Sequence, residues 1–150
     1  MRWPALTLAL ACLPCAVLAA AKYPDLSGWV VDPAQALTPT EQGELQQIAS
    51  RLDGEGLAQL AVAVVRPDDL DGLSRPEYAV ELFRRWKLGH SKRSSDGLLL
   101  LFVAGPPGQR GLKVEVGYGL EGALPDGKVG ALMDEVAGPR LGRGDRKSVV

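Results

Sequence analysis

Two nearly unbroken apolar runs of strand length, Gln59–Val65 and Gly97–Ala104, do most to limit what this chain can fold into. Apolar residues stand at consecutive positions in each, so a strand built from either run is predicted to be covered on both faces. Between the runs, Tyr78, Leu82, Phe83 and Trp86 recur at helical spacing behind a capping hydroxyl at Ser74, with Pro76 and Glu77 in the first turn. That pattern predicts an amphipathic helix packed on the sheet. Strand, helix, strand in this order predicts a right-handed parallel crossover, and with it an α/β fold.

The flanking segments complete the layout. Tyr23 to Pro33 reads as an extended arm, and Gln59–Val65 as the first strand of the sheet. Thr38-Pro39-Thr40-Glu41 supplies an N-cap hydroxyl, a proline at the first helical position and an acid at the third, which together serve the free amides of a helix start. The helix should run to about Leu52, burying Leu45, Ile48, Ala49 and Leu52, and break at Asp53-Gly54-Glu55-Gly56. Gly105-Pro106-Pro107-Gly108 stops the second apolar run, and Leu112-Lys113-Val114-Glu115-Val116 alternates as a strand nearer an edge does. So short a connection predicts an antiparallel hairpin and therefore a small mixed sheet. Lys128–Val136 is predicted to be the last helix.

Residues 1–21 read as a cleavable export signal: Arg2 is the positive start, Ala5 to Val17 the apolar run, and Leu18-Ala19-Ala20-Ala21 the small residues of a cleavage site after Ala19 or Ala21. Pro14 interrupts the run, which is short for a membrane span. Cys12 and Cys15 would leave with this leader, so residues 22–150 form one domain with no thiol, outside the cytoplasm, periplasmic or secreted. A formal net charge of −1 with interleaved acids and bases gives no field for nucleic acid.

The hairpin has a geometric consequence. The start of the second apolar strand and the end of the alternating one lie at the same edge of the sheet, so Asp96 should approach the loop that carries Glu121 and Asp126. Three carboxylates beside the Gly117–Gly122 loop are the oxygen ligands a hard cation such as Ca²⁺ requires. The competing reading makes Asp96 a turn cap and Glu121 and Asp126 solvated loop acids.

Other motifs carry less. Asp32 before Pro33 suits a turn or cap. Asp69-Leu70-Asp71 after a strand looks superficially like an aspartate-nucleophile phosphatase motif, yet Arg66-Pro67-Asp68 separates it from the strand end, which favours an exposed turn. His90 is the single histidine, so no histidine-based zinc cluster can form, and Ser91, Ser94 and Ser95 lack the glycine elbow of an activated serine. His90 is therefore expected to be an exposed loop residue. Trp86 and Tyr118 are expected to be packing residues. Lys87, Lys92 and Arg93 make too short a basic run to name a partner, and Arg143-Gly144-Asp145 too short a string to name adhesion.

Val30-Val31-Asp32, Ala61-Val62-Ala63-Val64-Val65, Trp86-Lys87-Leu88-Gly89, Asp96-Gly97-Leu98-Leu99-Leu100 and Val114-Glu115-Val116-Gly117-Tyr118-Gly119-Leu120-Glu121-Gly122, with Asp126 behind, resemble the TPM domain family. That family includes thylakoid-lumen proteins linked to photosystem II repair and bacterial exported or membrane-anchored proteins. The resemblance spans about Pro24 to Gly144 and implies a three-layer α/β/α sandwich, with cation binding in some members and a reported acid phosphatase activity in a chloroplast member. It leads to the expectation of a cation-binding accessory or interaction module of the cell envelope, with a membrane or envelope protein as partner. The alternative expectation is a weak metal-assisted acid phosphatase.

Overall fold

The computed structural model describes residues 22–90 and 95–136. The leader at 1–21 with Cys12 and Cys15, the loop residues Ser91, Lys92, Arg93 and Ser94, and the Arg143-Gly144-Asp145 string lie outside the described residues.

The described chain forms β1 (Val30–Val31), α1 (Pro39–Gly54), β2 (Gln59–Val65), a 3-10 turn (Pro67–Leu70), α2 (Arg75–Trp86), β3 (Gly97–Val103), β4 (Gly111–Val116), a short 3-10 turn (Tyr118–Leu120) and α3 (Asp126–Val136). One four-stranded sheet has the order β1-β2-β3-β4. β1 and β3 run parallel to β2, whereas β4 is antiparallel to β3. The parallel pair aligns Gln59 with Gly97 and Val65 with Val103, and the hairpin aligns Leu98 with Val116.

Both long helices begin where the sequence places their caps. Thr38 Oγ1 accepts the Glu41 amide at 3.3 Å while Glu41 accepts the Thr38 amide at 2.8 Å. Ser74 and Glu77 make the same reciprocal pair, at 3.4 and 2.8 Å. Each box satisfies two amides that helical geometry leaves without partners. α1 continues to Gly54, past the Leu52 expected from its apolar stripe, and α3 opens at Asp126 rather than Lys128.

The core has two layers. Ala61, Ala63, Val65, Leu99, Leu101 and Val103 face Tyr78, Ala79 and Leu82 of α2. Leu60, Val62 and Val64 face Ala49 of α1. Helices on both faces of the sheet make the three-layer α/β/α arrangement. Each fully buried aliphatic side chain contributes about 1.5–3 kcal/mol, so β2, buried from Leu60 to Val65, is the energetic centre of the domain. Both parallel connections step the same way across the sheet, yet α1 and α2 lie on opposite faces. The two crossovers are therefore of opposite hand, and one departs from the usual right-handed rule.

Two expectations are corrected. Val30–Val31 is not merely part of an arm; it pairs with Val62 and Ala63, so β2 is the second strand of the sheet. β3 is fully buried on one face only. Leu99, Leu101 and Val103 lie under α2, but Leu98, Leu100 and Phe102 are half-buried, because α1 sits over β1 and β2 and α2 over β3 and β4.

The arm before β1 is strapped to α2. The Tyr78 hydroxyl donates to the carbonyl of Lys22, and Trp86 Nε1 donates to that of Pro24 at 2.8 Å. Tyr23 stacks on Tyr78 at 4.8 Å between ring centres, and the Arg85 guanidinium lies over the Tyr23 ring, 4.3 Å from its centre. These contacts give Trp86 the packing role its position on the helix suggests. Tyr118 differs: it is 77% exposed.

Candidate functional site

The expected corner forms through backbone contacts that only glycine permits. Gly117 N donates to Gly97 O at 2.8 Å and Gly119 N to Ser95 O at 3.2 Å, which brings the turn after β4 against the start of β3. A Cβ on Gly97 would lie 2.7 Å from the backbone of Leu88, and Gly89, at φ +104°, packs against Asp96 and Gly97 in return. Three chain segments thus meet there: the loop after α2, the start of β3 and the turn after β4.

Asp96 lies inside this corner and is only 4% exposed. Its Oδ1 accepts the His90 amide at 2.6 Å, and His90 Nδ1 stands 3.2 Å from both carboxylate oxygens. Burial pushes the Asp96 carboxyl up, but the amide and ring of His90 outweigh it and hold the group below its usual range. Asp96 is thus a buried anion at neutral pH. Gln59 fixes the same loop from the side, accepting the Gly89 amide at 2.7 Å through Oε1 while its own amide donates to Asp96 O at 2.9 Å.

His90 is not an exposed loop residue. Its other ring nitrogen, Nε2, faces Asp53 Oδ1 at 3.4 Å, so the half-buried imidazole bridges the end of α1 and the start of β3. Asp53 Oδ1 is buried and has no hydrogen-bond partner among the described residues: it is within ion-pair reach of the ring but not aligned for a hydrogen bond. A histidine serving a nucleophile would direct its free nitrogen at a hydroxyl. Here that nitrogen faces a carboxylate. Nothing in the local sequence marks Asp53, which lies in a helix-ending Asp-Gly-Glu-Gly string, as a partner for His90.

The other two acids are placed differently. Glu121 closes the 3-10 turn after β4, its amide donating to Tyr118 O at 3.3 Å, and Asp126 opens α3; both side chains are exposed. Burial pushes the Glu115 carboxyl up, Lys113 partly offsets this, and Asp126 adds a smaller upward push. Among the described residues, no three His, Cys, Asp or Glu side chains stand together as a group able to hold an ion. The backbone convergence is present, therefore, with Asp96 inside the corner, Glu121 at the end of the turn that closes it and Asp126 beyond that turn, at the start of α3.

Two other acids that the sequence singles out, Asp32 and Asp69, have structural work. Asp32 accepts the amides of Ala36 and Leu37 at 3.2 and 2.8 Å, capping the turn into α1. Asp69 accepts the Arg66 amide at 2.9 Å, so the carboxylate after β2 closes its own 3-10 turn.

The family model described as the TPM domain matches residues 30–148. A solution NMR structure of the N-terminal domain of a protein from P. gingivalis is similar to this chain at 26% sequence identity and a TM-score of 0.63, over 80% of this chain and 73% of that one. No curated protein matches. With the model covering every described strand and helix, in a sheet whose corner is closed by the glycines of the Val116–Gly122 string, the chain belongs to the TPM domain family.

Proposed function

We propose that this TPM domain is a divalent-cation-binding accessory or interaction module of the cell envelope, carried out of the cytoplasm by residues 1–21. The observation that supports cation binding is Asp96, an ionised carboxylate kept inside a corner closed by backbone contacts, with Glu121 at the end of the turn packed against it and Asp126 further on, at the start of α3. A calcium ion takes six to eight oxygens and tolerates loop-borne ligands, so the Glu121 and Asp126 carboxylates and turn carbonyls moving toward Asp96 would suffice. A module of this kind presents its surface to a membrane or envelope protein.

Thermal melting of the purified protein with added calcium tests the reading. A free calcium level ten times the Kd adds about 1.4 kcal/mol to stability. Calcium should raise the melting temperature of the wild type, the rise should disappear in Asp96→Asn, and it should shrink in Glu121→Gln. Because Asp96→Asn lowers stability by itself, the quantity compared is the calcium-induced increment in each variant. No increment in the wild type, or an equal one in Asp96→Asn, rules out this site.

A further inference from the structure

β4 has β3 on one side and, among the described residues, no strand on the other. Gly117 N bonds Gly97 O in register with the hairpin, so the alternation of an antiparallel ladder turns the backbone groups of Gly111, Lys113 and Glu115 toward β3. Those of Leu112, Val114 and Val116 point outward, and no other described element bonds them. The side chains of these three residues are half-buried and belong to neither core cluster. An open apolar edge normally carries charges that repel further strands. This one carries two charges of opposite sign, Lys113 and Glu115, on the same face of the strand and symmetric about Val114.

That symmetry selects one partner and one register. In a two-fold antiparallel pairing centred on Val114, the outward groups of Val114 meet those of Val114 in the second copy, and Leu112 stands opposite Val116. Lys113 then faces Glu115 of the second copy, and Glu115 faces its Lys113, at the positions where cross-strand side chains are closest. A slip by one residue sets the outward groups of Leu112, Val114 and Val116 opposite residues of the second copy whose own groups point back to β3, so the ladder cannot form. A slip by two sets Lys113 against Lys113, or Glu115 against Glu115. We propose that the protein forms a symmetric dimer through β4, in this register, joining the two four-stranded sheets into one. The proposal stands independently of the cation reading.

Sedimentation equilibrium of the wild type, Lys113→Glu, Glu115→Lys and the double exchange tests it. The wild type should show a monomer–dimer equilibrium. Each single exchange turns two attractive pairs into two repulsive ones and should weaken the dimer by about tenfold or more. The double exchange should restore it. Mixing the two single variants should also restore association, as heterodimers, because a strand with acids at both positions would then face a strand with lysines at both; this arm remains informative even if a single variant is less stable. A wild type that stays monomeric up to about 1 mM, single exchanges without effect, or failure of both rescues would overturn the proposal.

Discussion

Replacing Gly117 with alanine isolates the contact that closes the Asp96 corner. Gly117 has φ −68° and ψ 148°, a conformation any residue adopts, so the substitution brings no backbone strain. The cost is spatial. The added Cβ would stand well inside contact distance of Ser95 O and 2.9 Å from Gly97 O, and both atoms are fixed carbonyls rather than flexible side-chain ends. Those carbonyls accept the amides of Gly119 and Gly117. Relieving the overlap must therefore separate the turn from β3, at about 1 kcal/mol for each hydrogen bond lost and a further 1–3 kcal/mol, roughly, for the overpacking that remains. Restricting the unfolded chain returns about 0.4–1 kcal/mol. The net expectation is a loss of about 2–4 kcal/mol, or roughly 10–20 °C in Tm for a domain of this size. Urea denaturation followed by far-ultraviolet circular dichroism measures it. Gly122→Ala, whose Cβ meets nothing within 4 Å, is the matched control and should stay near wild type. If Gly117→Ala unfolds within about 0.5 kcal/mol of wild type, the corner is not closed as described.

The Asp96 carboxyl is held below its ordinary range in the folded protein, so its stabilising contribution is complete above the unfolded value and is lost as pH falls through the folded one. Asp96→Asn should therefore cost about 1.5–3 kcal/mol near neutrality and flatten the acid limb of a plot of stability against pH; identical slopes in the two proteins would remove the buried anion from the account. Tyr78→Phe deletes the hydroxyl that donates to Lys22 O while leaving the ring stack on Tyr23, for a loss of about 1 kcal/mol. Hydrogen exchange should accelerate in the arm from Lys22 to Leu26 and not in β2, whereas uniform acceleration would mean that the arm is held by other contacts.

The parts of this fold that sequence patterns reveal are those with local causes. Both capping boxes span three residues, and each reciprocal bond forms within that span, so Thr38–Glu41 and Ser74–Glu77 mark helix starts without reference to anything distant. The strands at Gln59–Val65 and Gly97–Val103 announce themselves by continuous apolar runs, and the hairpin by the short Gly-Pro connection. β1 had no such signal, because two residues carry no period. Its place in the sheet depends on Val62 N donating to Trp29 O at 2.7 Å and Ala34 N to Val64 O at 3.3 Å.

Distance along the chain marks the limit for the candidate site as well. Topology alone brings Asp96 against the turn after β4, since an antiparallel hairpin must return its second strand to the start of its first. The Asp53–His90–Asp96 bridge is different: it joins the end of α1, the loop after α2 and the start of β3, and it exists because two helices on opposite faces of the sheet both end at this edge. Sequence by itself determined the order and type of the main elements, the caps and the shared edge, all consequences of short-range chemistry and chain connectivity. Only tertiary packing decided that β1 pairs, that β3 keeps one face half open, and that His90 faces carboxylates on both sides. The first rests on backbone bonds between distant segments, the second on α1 lying over β1 and β2, and the third on Asp53 and Asp96 meeting His90 from separate elements; all three are set by how the packed elements meet, not by any run of neighbouring residues.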